Sequence, residues 1–155
     1  MKYFINLSIV VSLTLLLGGC GAAGKQFSVF KTQESKSVIY FYRPDSFMSQ
    51  PNKFNIFEVN ASGDYEKNMH GSKTIGSLKN NSYLAYYTEL GNHLFTDNMM
   101  KTPIQVNVKP NDYVCFRLTT GLLNMNTFEL VDKTTCKNEI KSTNQMTQED
   151  LESSF

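Results

Sequence analysis

Cysteine, histidine and carboxylate side chains are the groups in this sequence able to do chemistry near neutral pH, and their spacing restricts what that chemistry is. His70 and His93 are the only histidines, 23 residues apart, and neither has a Cys, His or carboxylate at the close spacing that zinc ligation needs. No metal site and no cofactor are expected. Cys115 and Cys136 are too far apart for a Cys-x-x-Cys redox pair, and no Gly-x-Ser-x-Gly elbow presents a nucleophilic serine. The glycines from Gly18 to Gly24 belong to the N-terminal segment rather than to a phosphate-binding loop. An enzyme would need Asp45, Glu58, His70 or His93 to converge in space. The pairs Glu58 with Asp64 and Asp45 with Arg43 read instead as solvated charges near strand ends, and His93 as a solvated strand start. The expectation is a protein that is not an enzyme.

Cys20 is different, because its surroundings are ordered. Lys2 supplies a positive start, Ile5 to Leu17 an apolar run, and Leu17-Gly18-Gly19-Cys20 a small-residue boundary. The apolar run is short for a helix that must cross about 30 Å of hydrocarbon with about 20 residues. The boundary resembles the lipobox of bacterial lipoproteins. That resemblance implies a signal peptide over residues 1–19, removal of it, and a Cys20 that carries lipid as the first residue of the mature chain. An ordinary secretory peptide cut near Ala22 or Ala23 is the alternative. Gly21 rather than Asp follows Cys20, which by resemblance to the sorting rule of two-membrane bacteria implies an outer-membrane anchor facing the periplasm.

The chain has 15 Lys and Arg against 14 Asp and Glu, and loss of Lys2 with the signal leaves 14 of each. A neutral chain without a basic cluster is a poor binder of nucleic acid, which needs concentrated positive charge. Lipidation of Cys20 would leave Cys115 and Cys136 as an even pair in an exported protein. Their bridge would close a loop of about twenty residues, valued at roughly 3 kcal/mol by the loop-entropy model. Two free thiols are the alternative.

The elements that must position these residues have a period of two. Ile104, Val106 and Val108 alternate with polar residues between Pro103 and the turn Pro110-Asn111-Asp112, and Tyr113 to Leu118 reads as the hairpin partner, with Val114, Phe116 and Leu118 toward the core. Val38 to Tyr42 is a β-branched and aromatic run stopped by Pro44, which suits a central strand covered on both faces. Further strands are expected at Phe54 to Val59, Thr74 to Leu78, Ser82 to Leu90, His93 to Thr96 and Thr127 to Val131, with Lys79-Asn80-Asn81 as a hairpin turn. Helix is confined to one turn within Lys137 to Lys141. The fold class is all-β: a two-layer antiparallel β-sandwich, immunoglobulin-like or transthyretin-like, of about eight short strands. Residues 20–36 read as the lipidated cysteine and a flexible tether, 37–141 as the sandwich, and 142–155 as a polar tail without enough apolar surface to offset its ordering entropy.

Blocks of the sequence in this order resemble the bacterial lipoprotein family of unknown function DUF2846. They are Ile39-Tyr40-Phe41-Tyr42-Arg43-Pro44, then Ile75-Gly76-Ser77-Leu78-Lys79-Asn80 before Tyr83, then Glu89-Leu90-Gly91-Asn92-His93, and finally Glu129-Leu130-Val131. The prolines of the third block and a Gly-Arg-Pro before the last are not matched here. The resemblance implies an exported β-rich domain without an assigned activity. It singles out Arg43, as a strand-end salt bridge or carbonyl contact or as a binding residue. Seven tyrosines from Tyr40 to Tyr113 exceed the needs of a small core, and they pack across strands or form a recognition face. The expected function is a membrane-anchored envelope lipoprotein acting as an interaction or accessory module on another envelope protein. The alternative is a small-ligand (glycan) binding or hydrolase-inhibitor module.

Overall fold

The computed structural model describes residues 22, 24–31, 36–46, 53–59, 72–98, 103–120 and 126–146. Among them are nine strands: β1 (Ser37–Arg43), β2 (Phe54–Val59), β3 (Lys73–Leu78), β4 (Ser82–Thr88), β5 (Gly91–Asp97), β6 (Ile104–Val108), β7 (Tyr113–Thr120), β8 (Asn126–Val131) and β9 (Asn144–Gln145). Five form one sheet in the order β8-β7-β1-β4-β9, and four form a second in the order β3-β2-β5-β6. The result is a β-sandwich.

β1 is the centre of the larger sheet, and all seven of its residues are buried. Alternation divides them. Ile39 and Phe41 point into the space between the sheets, while Val38, Tyr40 and Tyr42 point to the opposite face and join a second apolar cluster with Phe27, Cys136 and Ile140. In the first core Phe41 lies 5.3 Å from Phe95 of the facing sheet and 5.3 Å from Phe116 of β7, ring centre to ring centre. Ring pairs at such separations contribute about 0.5–1.5 kcal/mol each beyond their buried area.

The pairing differs from an all-antiparallel sandwich. β7 runs parallel to β1, from Val38 opposite Tyr113 to Tyr42 opposite Arg117, and β9 runs parallel to β4. Neither expected hairpin forms, because β6 pairs with β5 and β7 with β1 and β8, while β3 pairs with β2 and β4 with β1. Pro110-Asn111-Asp112 and Lys79-Asn80-Asn81 are instead corners that pass the chain from one sheet to the other. Asn111 and Asn81 take the positive φ these corners need, 55° and 53°, a conformation asparagine tolerates better than most residues. The inward faces of Val114, Phe116 and Leu118 are as the alternation predicts.

The helix, α1 (Lys133–Glu139), begins four residues before the turn expected within Lys137 to Lys141 and continues into a 3-10 turn at Ile140–Ser142. Asp132 starts it: its carboxylate accepts from the Thr134 and Thr135 amides at 2.9 and 3.0 Å, satisfying donors that a helix start leaves open. Cys136 and Ile140 form its buried face.

The segment expected to be a tether is in part a packed strap, and the tail is ordered at its beginning. Phe27 N donates to the Thr143 carbonyl at 2.9 Å, Gln145 N to Lys25 O at 2.8 Å, and Met146 N to Tyr83 O at 3.0 Å. Phe27 and Met146 are buried. Gly24 has a steric reason, since a Cβ there would run into the Gln145 carbonyl oxygen. Residues 32–35 and 147–155 lie outside the described residues. The larger sheet thus has the second sheet on one face and the strap with α1 on the other.

Candidate functional site

The disulfide joins Cys115 of β7 to Cys136 of α1, with Cα atoms 6.1 Å apart and both residues buried. Beside it, Arg117 reaches Glu129 at 2.9 Å and Glu139 at 2.6 Å, and the Tyr42 hydroxyl donates to the other Glu139 oxygen at 2.7 Å. Burial and that hydrogen bond push the Tyr42 phenol far above its ordinary range. The helix is therefore fixed to the sheet by a covalent bond and by charge.

Arg43 ends β1 only 1% exposed. Its Nη2 donates to Thr120 Oγ1 at 3.0 Å and its guanidinium lies 4.8 Å from the centre of the Phe54 ring, so it joins strand ends of both sheets. Burial pushes its pKa below the ordinary arginine value. The side chain is turned into the protein.

The residues considered for catalysis are partly gathered. Glu58 Oε1 lies 2.5 Å from His93 Nδ1, Tyr86 donates to Glu58 Oε2 at 2.6 Å, and Lys73 donates to the Tyr86 hydroxyl at 2.9 Å. Asp45 is elsewhere, accepting from Asn80 Nδ2 at 2.6 Å, and His70 and Asp64 lie outside the described residues, as does Cys20. Glu58 and His93 are not solvated strand ends: their side chains are 20% and 14% exposed. Strand parity held the missed signal. Glu58 shares the inward face of β2 with Phe54 and Ile56, His93 shares that of β5 with Phe95, and Glu58 pairs with Phe95, which sets His93 diagonally across.

Both imidazole nitrogens face acceptors, since Nε2 lies 2.9 Å from the Glu89 carbonyl oxygen and Nδ1 faces the carboxylate. A carbonyl oxygen only accepts, so Nε2 donates, and the ring has no nitrogen turned toward a substrate. What the arrangement does is clasp the sheets: Glu58 and His93 belong to one, Tyr86 to the other. Burial pushes the Glu58 carboxyl up, but hydrogen bonds from Tyr86 and His93, with the charges of His93 and Lys73, outweigh it and hold the carboxyl below its ordinary range. A depressed carboxyl stabilises the fold fully above its unfolded value of about 4.3 and loses that contribution as pH falls through the folded value. Glu58→Gln is expected to lower the melting temperature at pH 7 and to flatten its decline below about pH 4, measured by thermal unfolding across pH; parallel curves for the two proteins would remove the clasp.

Among the described residues, a cleft of about 390 Å³ lies between the strap and β4. Tyr83, Ala85 and Tyr87 lie at alternate positions of β4 and form one side, and Ser28 and Val29 form the other. Lys25 and Lys31 stand at it. Tyr87 and Val29 are 37% and 62% exposed, so apolar surface remains open to solvent. Tyr40 and Phe30 pack beneath, with Phe30 stacked on Tyr113 at 4.1 Å. Of the described tyrosines, Tyr40 and Tyr42 are thus consumed by packing while Tyr87 faces outward; Tyr65 lies outside the described residues.

Among the described residues no three His, Cys, Asp or Glu side chains gather as metal ligands, and no helix is long and apolar enough to cross a membrane. A scan against models of known protein families finds no match, and a search of curated proteins finds no similar sequence.

Proposed function

We propose that this chain is an envelope lipoprotein, held by lipid on Cys20 at the outer membrane and facing the periplasm, where it acts as a non-catalytic interaction or accessory module on another envelope protein. The observation that carries the proposal is Leu17-Gly18-Gly19-Cys20 directly after the apolar run from Ile5. The similarity of Ile39 to Pro44 and of the later blocks to DUF2846 lipoproteins supports it, as does a buried disulfide of the kind that persists outside the cytoplasm.

The strap refines this reading. Ala22 is buried and its carbonyl accepts from Asn144 Nδ2 at 3.3 Å, only two residues after Cys20. Two residues of extended backbone span about 7 Å, so an anchor at Cys20 would hold the sandwich against the headgroups instead of on a long leash. The ring of His93, with both nitrogens engaged, supports a role without catalysis.

Mild crosslinking in cells is expected to link the anchored protein to a specific envelope protein that a Cys20→Ser form does not capture. The same products from both forms would contradict a partner met at the membrane. The second reading, a small-ligand module, is favoured by one observation: the aromatic and basic cleft beside β4.

A further inference from the structure

We propose that the cleft between the strap and β4 binds an acidic saccharide. The proposal deepens the second reading above and rests on it. Its volume of about 390 Å³ falls within the roughly 300–1,000 Å³ of small-molecule sites. The shape comes from the sequence of β4: at alternate positions Tyr83, Ala85 and Tyr87 share the outward face, and the single methyl of Ala85 leaves a gap between two phenol rings.

Tyr87, 37% exposed, is the ring open for contact, and Tyr83 is the buried floor beside it, held edge-on by Phe27 at 5.3 Å and 83°. A sugar offers such rings the apolar C–H face of its pyranose and offers hydroxyls around its rim. Gln145 at the cleft carries an amide that both donates and accepts, and Gln26, whose Nε2 donates to the Lys141 carbonyl at 2.9 Å, has its amide oxygen as an acceptor, which suits those hydroxyls. The Tyr40 hydroxyl accepts from Lys31 N at 2.7 Å and so fixes the backbone that presents the Lys31 ammonium.

Charge selects the class of sugar. Among the described residues that line the cleft, Lys25 and Lys31 are the charged ones and both are basic, so a carboxylate on the saccharide meets two ammonium groups. An acidic peptide shares the charge but would use a strand edge, whereas the cleft presents side-chain faces of β4.

The test is titration of the full chain in detergent micelles with a disaccharide containing N-acetylmuramic acid, with the neutral disaccharide diacetylchitobiose, and with a glutamate-rich peptide. The chain contains no tryptophan, so intrinsic emission comes from its eight tyrosines, Tyr40, Tyr83 and Tyr87 of the cleft among them. Saturable binding of the acidic disaccharide is expected, about tenfold tighter than that of the neutral one. Tyr87→Ala and Lys31→Ala, both at solvent-facing positions, are each expected to weaken it about tenfold with an unchanged melting temperature, and Tyr87→Phe to retain it. Equal affinity for the two disaccharides, tighter binding of the peptide, no saturable binding, or indifference to Tyr87→Ala would overturn the proposal. Because the titration is run in detergent, a failure there with the protein still recovered in membranes removes the cleft and not the anchor.

Discussion

Replacing Cys115 and Cys136 together by alanine is expected to lower the unfolding free energy by about 3 kcal/mol. The bond spans a separation of 21 residues and closes a loop that contains most of β7, all of β8 and the start of α1. Without it the unfolded chain regains the freedom of that loop. In the folded chain α1 keeps the Arg117–Glu139 ion pair and the Tyr42–Glu139 hydrogen bond, but both sit at its last residue and neither holds Cys136 in the apolar cluster around Val38 and Tyr40. For a domain of this size the loss corresponds to a fall in melting temperature of roughly 10–20 °C, measured by calorimetry on oxidised protein. A fall of less than about 1 kcal/mol would mean that the helix is held by its polar contacts alone.

The second large effect is on location rather than on stability. Cys20→Ser removes the thiol that would carry lipid, and the protein is expected to move from the membrane to the soluble fraction. Each buried methylene contributes about 0.8 kcal/mol and one acyl chain alone binds only marginally, so stable attachment depends on two or more chains at this residue. The sandwich itself is expected to be unaffected, because the described core clusters and the Cys115–Cys136 bond are built from Ala22 onward. An unchanged melting temperature alongside changed fractionation separates loss of the anchor from loss of the fold.

Much of the fold was legible because burial alternates along a strand. Val38 to Tyr42 could be read as a doubly covered strand from its unbroken apolar run, and β1 has that place at the centre of the larger sheet. Val106, Val108, Phe116 and Leu118 likewise face inward as their parity requires. Period two says which face a residue occupies and nothing about which strand lies beside it. Hence Pro110-Asn111-Asp112, expected as a hairpin turn, is a corner between sheets, because the long-range pairing of β7 with β1 takes the strand that the turn would have returned to β6. The strap and β9 were missed for another reason: Gln26, Phe27, Asn144 and Gln145 form too short and polar a pattern, and their order comes from partners far away in sequence. The start of α1 had a local signal, Asp132 followed by Thr134 and Thr135, but threonine is a weak helix former and masks it.

The candidate sites were legible to different degrees. An even cysteine pair was enough to anticipate the disulfide. The Glu58–His93 clasp required two parities and one register, of which only the parities are local. The cleft beside β4 required the strap, which the sequence presents as linker. Tyr83, Ala85 and Tyr87 were visible as alternating residues, but the wall opposite them was not.

The central claim is the lipid on Cys20, and the most direct measurement of it is the mass of the N-terminal peptide from protein extracted from membranes and digested. A peptide that begins at Cys20 and carries the mass of a diacylglyceryl group, with or without a further acyl chain, is the predicted result. A peptide that begins near Ala22 or Ala23, or one that contains Cys20 as an unmodified thiol, would contradict it.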